Sequence, residues 1–246
     1  NPVEREAMKE EAPDVIVLDF PIDSSELVNF AVDYYKKYFR CISSVDEDAN
    51  KTSMYKAEHK RLAEKKKALT TEDYLSKLKL KVQIHPVNES EIERVAQLCG
   101  KTNQFNLTTI RYSVQDIELM RENPMYHIYT AHMQDKYGDS GLVSVLILHG
   151  LENEGAEIDT FLMSCRVMGR KLENVFINCL IEAYKDCFKY FKAVYIRTMK
   201  NKPVESMYEN LGFELIEQDE DRKIYKIELK QKLAIQHYYD EVEFER

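Results

Sequence analysis

Apolar and polar positions in this chain alternate in short runs at first, then fall into longer helical stripes. Val15-Ile-Val-Leu18 is a short apolar run ending before Pro21, and predicts a buried strand. Asp23-Ser-Ser-Glu26 has the spacing of a capping box, with Asp23 as the cap. Leu27, Phe30, Ala31, Tyr34 and Tyr38 then recur at helical spacing. The stretch from Ser43 to Lys67 is polar, and Met54 to Lys67 predicts a solvent-facing helix ending in Lys65-Lys66-Lys67. Thr70 to Leu75 predicts a short capped helix. This first segment has too few strands for a complete α/β domain. It has the pattern of the end of one, with a boundary near Leu80.

From there the pattern is richer. Lys81 to Pro86 alternates as a strand does. Asn88-Glu-Ser-Glu91 is a second capping-box pattern, opening a helix with Ile92, Val95 and Ala96 inside and Gly100 at its end. A polar loop from Lys101 to Arg111 follows, and Val114, Ile117, Leu119 and Met120 predict another helix stopped near Pro124. Tyr126 to Met133 and Leu142 to His149 predict a hairpin turning at Gly138-Asp-Ser-Gly141, and Ala156 to Ser164 a third strand. Leu172, Val175, Phe176, Cys179, Leu180, Ala183 and Cys187 form the stripe of a strongly amphipathic helix. Ala193 to Arg197 is a strand, and Glu205 to Asn210 a helix ended by Gly212. Phe213 to Glu217 and Lys223 to Leu229 form a last hairpin.

Composition narrows the class. Of 246 residues, 44% are hydrophobic and 32% charged, which suits a globular protein and excludes a disordered one. No apolar run is long enough to cross a bilayer, so no membrane partner is expected. The net charge of -8 argues against nucleic acid as a partner, because phosphate contacts need clustered cations. One local basic run, Lys185, Lys189, Lys192, Arg197, Lys200 and Lys202, is either a solvated face or a landing surface for an acidic partner. The five cysteines, Cys41, Cys99, Cys165, Cys179 and Cys187, are scattered and odd in number. Neither they nor the histidines show metal-ligand spacing. Reduced thiols in a cytoplasmic protein without a metal site are expected.

Three places carry candidate chemistry. Arg166-Val167-Met168-Gly169-Arg170-Lys171 lies between a strand and a long helix, where unpaired N–H groups and the helix dipole converge on an anion. Cys165 precedes it, beside two arginines and a helix N-terminus, a setting that makes a thiolate nucleophile; packing is the other reading. The loop from Lys101 to Thr109, with Arg111, gathers Asn103, Gln104, Asn106 and Thr108. It either hydrogen-bonds a polar acyl group or pantetheine amide, or caps its own helices.

The element order resembles that of the GNAT acyltransferases, whose Arg/Gln-x-x-Gly-x-Gly/Ala loop binds the pyrophosphate of coenzyme A. Arg166 and Gly169 match that loop, and Lys171 departs from its small residue. Met207-Tyr208-Glu-Asn-Leu-Gly212-Phe213, with Asn201 upstream, resembles the family's Tyr-x-x-x-Gly-Phe run. That resemblance implies Tyr208 as a general acid for the leaving thiol, and Asn201 with the cofactor.

The loop Lys101-Thr-Asn-Gln-Phe-Asn-Leu-Thr-Thr109 with Arg111-Tyr112, the Gly138-Asp139 and Gly141-Leu142-Val143 pairs, and Met163-Ser-Cys-Arg-Val-Met-Gly-Arg170 together resemble the FkbH family, from Asn1 to about Glu217. Asn1-Pro2-x-Glu4-Arg5 is similar to the end of that family's Asp-Asp-Asn-Pro-x-Glu-Arg motif. The resemblance implies a magnesium-dependent HAD-like phosphatase domain joined to a GNAT-like domain. In it a phosphorylated three-carbon acid supplies a glyceryl unit to an acyl carrier protein. The chain is read as lacking the family's nucleophilic Asp-x-Asp phosphatase site, so it is expected not to hydrolyse phosphate esters, with or without magnesium. The expected architecture is α/β (α+β): the end of a HAD-like domain over 1–80, a GNAT-like mixed, mainly antiparallel sheet flanked by helices over 81–230, and an acidic tail over 231–246. The expected function is acyl transfer onto the phosphopantetheine of a carrier protein, from a small-molecule acyl donor. The alternatives are N-acyl transfer from acyl-CoA to an amine, and a docking domain that only holds the carrier.

Overall fold

A computed structural model of the chain describes residues 2–11, 17–18, 21, 23–38, 51–151, 154–230 and 238–246. They form two compact units, Asn1–Asn50 and Lys51–Arg246. In the first, α1 spans Pro2–Glu11 and α2 Leu27–Tyr38. The Asp23 carboxylate accepts the Ser25 N–H at 2.8 Å, as the capping pattern predicts. Phe30 and Tyr34, one helical turn apart, stack with ring centroids 6.4 Å apart. The strand predicted at Val15–Leu18 lies partly, and Cys41 wholly, outside the described residues.

The second unit opens with α3 (Lys51–Lys67) and α4 (Thr71–Leu78), the latter capped by the Thr70 hydroxyl. Then come β1 (Leu80–Pro86), α5 (Ile92–Lys101), α6 (Val114–Glu122), β2 (Tyr126–Asp135), β3 (Gly138–Gly150) and β4 (Gly155–Met163). The chain continues through α7 (Leu172–Tyr184), β5 (Tyr190–Ile196), α8 (Met207–Asn210), β6 (Glu214–Gln218), β7 (Arg222–Glu228) and β8 (Tyr239–Phe244). One eight-stranded sheet runs β6-β7-β5-β4-β3-β2-β1-β8. Its strands pair antiparallel except β4 with β5 and β1 with β8. This is the mixed, mainly antiparallel sheet flanked by helices that the element order predicts.

Central β3 explains why the sheet is layered on both faces. Val145 and Ile147 join a cluster with Val95, Leu98 and Ile117 of α5 and α6, while Leu146 and Leu148 join the larger cluster with Phe176 and Leu180 of α7. A strand apolar on both sides must be covered on both sides.

Four expectations change. The α3 helix is not simply solvent-facing: Ala57 and Arg61, four residues apart, are buried, and α3 and α4 belong to the same compact unit as the sheet. The β2–β3 turn is the two residues Lys136-Tyr137; Gly138 and Gly141 already lie in β3. Cys187 lies beyond α7 and is exposed rather than on the buried stripe. The acidic end of the chain contains a strand, β8, paired to β1.

Candidate functional site

β4 and β5 run parallel and pair only from Gly155–Tyr190 to Ile158–Ala193; beyond that they diverge. The chain itself bridges this fork. Phe105-Asn106-Leu107 lies against β4, with Leu107 N–H donating to the Phe161 carbonyl at 3.2 Å and Met163 N–H to the Phe105 carbonyl at 2.9 Å. On the other side Ile196 N–H of β5 donates to the Leu107 carbonyl at 2.8 Å, and Asn201 Nδ2 to the Asn106 carbonyl at 3.0 Å. Three residues from the amide-rich loop thus substitute for the missing strand between β4 and β5. Phe105, Asn106 and Leu107 are all buried.

This arrangement decides what most of the loop's polar groups do. Asn106 Oδ1 accepts the Thr109 N–H at 2.8 Å and its Nδ2 donates to the Thr102 carbonyl. Thr109 sits at φ 57, where a non-glycine residue needs such support. Thr108 Oγ1 donates to the Asp159 carbonyl. Arg111 donates to the carbonyls of Cys99 and Gly100 at the end of α5, and at 2.6 Å to Asn103 Oδ1. Among the substrate-binding candidates, Asn106, Thr108 and Arg111 therefore hold the loop, Asn103 helps them, and Gln104 is exposed. Asn201 is likewise structural. Its Oδ1 accepts from Thr198 N–H and Tyr195 OH, and its Nδ2 donates to the Ile196 and Asn106 carbonyls, which uses both donors.

The turn that the sequence marks as a candidate anion site follows β4. Cys165–Val167 form a short 3-10 turn, Gly169 takes φ 79, and Lys171 takes φ 59 as the cap of α7. No atom lies within 4 Å of where a Gly169 side chain would begin, so the glycine serves the backbone conformation and leaves open space over the turn. The N–H groups of Gly169 and Lys171 have no hydrogen-bond partner among the described residues. Beside them the first turn of α7 presents its own N–H groups. Val167 is buried and anchors the turn, and Arg166 Nε donates to Ser164 Oγ at 3.2 Å.

Arg170 does not face outward as an anion ligand. Its guanidinium is buried and lies 3.4 Å from both Asp135 and Glu58, and it donates at 3.0 Å to the Arg166 carbonyl. Asp135, whose side chain is fully buried, also takes a two-pronged contact from Arg61 of α3, at 2.6 and 3.0 Å. Burial, and then the Arg61 charge, pull the Arg170 pKa down, against the opposing pull of Asp135 and Glu58. The cluster ties α3, the end of β2 and the turn into one rigid body. Asp135, Glu58 and Arg61 carry no motif, and only the fold brings them together.

Tyr208 lies elsewhere. It is buried against Phe213 and Tyr225, and its hydroxyl has no hydrogen-bond partner. Burial, then the charge of Glu157, pushes its pKa up. Its ring neighbour Tyr225 pairs with Ala193, the last residue of β5 that pairs with β4, so Tyr208 lies near where the fork opens. Asp159 is a focus that the sequence reading missed: it accepts from Tyr112 OH at 2.8 Å and from the Thr160 hydroxyl at 3.0 Å. Cys165 is exposed in the 3-10 turn beyond the end of β4 at Met163, whereas Asp159 lies within the strand where the fork opens. The structure therefore does not bring Cys165 and Tyr208 together. Cys99 and Cys179 are held inert by burial, which pushes both thiols up to about 11. The basic run is largely neutralised: Lys185 pairs with Glu182, Lys189 with Glu154, Lys192 with Glu157 and Arg197 with Glu205.

No family model matches the sequence, and no curated protein matches it. Solved structures do. The smu.2055 protein of Streptococcus mutans is 19% identical, over 59% of this chain and 98% of that one, with a TM-score of 0.48. The ribosomal-protein-S18-alanine N-acetyltransferase of Escherichia coli is 10% identical, over 63% and 99%, with a TM-score of 0.48. The spermidine N-acetyltransferase of Vibrio cholerae, in complex with CoA and spermine, is 11% identical, over 61% and 96%, with a TM-score of 0.46. At these identities the likeness concerns the fold alone. Among the described residues no helix is long and apolar enough to cross a membrane.

Proposed function

We propose that the sheet domain is an acyltransferase acting on a thioester-bound acyl group, and that its physiological thioester is carried on the phosphopantetheine of an acyl carrier protein. The observation that carries acyl transfer is the presence of two features on either side of the β4–β5 fork. The Gly169–Lys171 turn with the α7 N-terminus has the open N–H groups that suit a phosphate, and the unpaired Tyr208 hydroxyl lies near where β4 and β5 part. A thiolate leaving group at the fork would take its proton from Tyr208. Cys165, at the phosphate end, is not used as a relay.

The bridged fork favours a carrier protein over free CoA. An arm lying along β4 competes with Phe105–Leu107 for the Phe161 carbonyl and the Met163 N–H. Withdrawing Phe105 and Leu107 from the core costs roughly 3–6 kcal/mol, and each lost hydrogen bond about 1 kcal/mol more. A micromolar ligand has only about 8 kcal/mol in total. Free CoA is left with little, whereas a carrier protein adds contacts of its own surface. The glyceryl unit, the phosphatase partner and its magnesium rest on the FkbH resemblance. Transfer from acyl-CoA to an amine is the competing reading and uses the same turn.

Calorimetry and hydrogen exchange test this on the full chain. CoA alone should bind no more tightly than the millimolar range. A phosphopantetheine-loaded carrier should bind at least tenfold tighter than its unmodified form, and should lower protection at 105–107. Micromolar CoA binding with unchanged protection there would overturn the carrier reading.

A further inference from the structure

His85 of β1, His132 of β2 and Glu91, in the turn before α5, converge on the α5 face of the sheet. His132 Nε2 is 2.5 Å and His85 Nε2 3.6 Å from the same Glu91 oxygen, Oε1. The two imidazoles stack with centroids 5.4 Å apart. The three donor atoms all lie within 4.8 Å of one another. Because the residues are six and 41 positions apart in the chain, no sequence spacing announces them.

The surroundings fix which atoms face inward. Glu91 is buried, and its other oxygen, Oε2, is already engaged by the Asn88 N–H and the Thr130 hydroxyl, both at 3.2 Å. Oε1 is therefore held toward the histidines. His85 Nδ1 lies 3.0 Å from the Pro86 carbonyl, which only accepts, so Nδ1 carries the hydrogen. In neutral His85 the Nε2 lone pair then faces a carboxylate oxygen, and two acceptors facing each other call for a cation between them. An outer hydrogen bond from Nδ1 to a carbonyl is also what orients a metal-bound imidazole. Both rings keep partial solvent access, with side-chain exposures of 25% and 33%, so an ion can enter and a water can complete its shell.

We propose that His85, His132 and Glu91 bind one divalent transition-metal ion of the zinc class, with an open position for water. Ligand distances near 2.0–2.1 Å require donors about 3.3 Å apart in a tetrahedron. The His85–Glu91 spacing meets this, and the His132–Glu91 contact opens by less than 1 Å once its shared proton leaves. Binding to neutral His132 needs no net proton release: the ring hydrogen passes from Nε2 to Nδ1 as Nε2 takes the ion. Two imidazoles and one carboxylate select zinc-like ions over magnesium or calcium, which prefer all-oxygen shells. The site lies at the start of α5, roughly 15 Å from the helix end that carries the amide-rich loop. It is separate from the acyl site.

Cobalt(II) titration of the metal-stripped full chain tests this. One equivalent should produce visible ligand-field bands, and zinc should abolish the bands. His85→Asn and His132→Asn should each lose this step while keeping the wild-type circular dichroism spectrum. A one-equivalent step that survives in both variants, or no such step in the wild type, overturns the proposal. Should the variants misfold, long-range proton–nitrogen spectra of the wild type decide: zinc must shift the Nε2 signals of His85 and His132. Unmoved signals there would mean that the cluster only shares protons.

Discussion

Two buried oxygens without partners give the sharpest expectations at the level of single residues. Tyr208→Phe removes a hydroxyl that has no hydrogen bond, so the domain should gain up to about 1 kcal/mol. If the hydroxyl protonates the leaving thiol, the same change should lower turnover by about 10²-fold or more. Urea unfolding and single-turnover transfer, measured on one preparation, should move in opposite directions. Turnover at the wild-type rate would reduce Tyr208 to a packing residue. Glu173, in the first turn of α7, also has a buried oxygen without a partner, and burial raises its pKa. A raised carboxyl pKa means that the folded state prefers the neutral acid. That contribution is complete below the ordinary glutamate value of 4.5 and is lost as pH rises through the folded-state value. Glu173→Gln should therefore match the wild type near pH 4 and be the more stable protein at pH 7. A urea series across that interval checks the sign. The helix dipole opposes this trend, by about 0.3–1 kcal/mol for a carboxylate at such a position. A wild type more stable than the variant at pH 7 would mean that the dipole outweighs burial.

At the level of elements, the helix that precedes the sheet and the turn that follows β4 behave as one part. Arg61→Ala leaves the buried Asp135 carboxylate with the Tyr137 N–H and the more distant Arg170 guanidinium, and should cost about 3–5 kcal/mol. It should also raise hydrogen exchange across 166–171, because Arg170 loses the shared anchor that holds the turn. A stability loss with unchanged exchange would show that α3 supports the sheet without supporting the turn. Sequence pattern identified α3 as a helix but not its job. Arg61 sits among Lys60, Lys65, Lys66 and Lys67, and nothing local separates the inward cation from the solvated ones. Strand β8 was hidden for a different reason. Tyr239, Val242 and Phe244 break strict alternation because Leu80 pairs with Tyr239 and Lys81 already with Glu241, which leaves Asp240 as an extra residue. Its acids, which read as a charged tail, face partners on and beside β1: Lys79 with Asp240, Lys81 with Glu241 and Gln83 with Glu243. By contrast the Thr70 and Asn88 starts of α4 and α5 were legible in the sequence, because caps are made by near neighbours.

At the level of the whole molecule, the succession of elements along the chain from β1 to β7 followed from the apolar runs, and Gly169 marked the turn after β4. What stayed hidden was contact between distant positions. The loop from Lys101 to Thr109 announced polar chemistry, yet its use is to complete the sheet between β4 and β5, and only the diverging strands reveal that need. A fold that fills its own fork carries a thermodynamic signature. A compound that enters by exchange breaks nearly as many favourable contacts as it forms. Its binding therefore adds little to the free energy that separates native from unfolded chains. Melting temperature then hardly reports occupancy. A compound library screened by thermal shift would pass over the natural donor and select molecules that settle elsewhere on the surface.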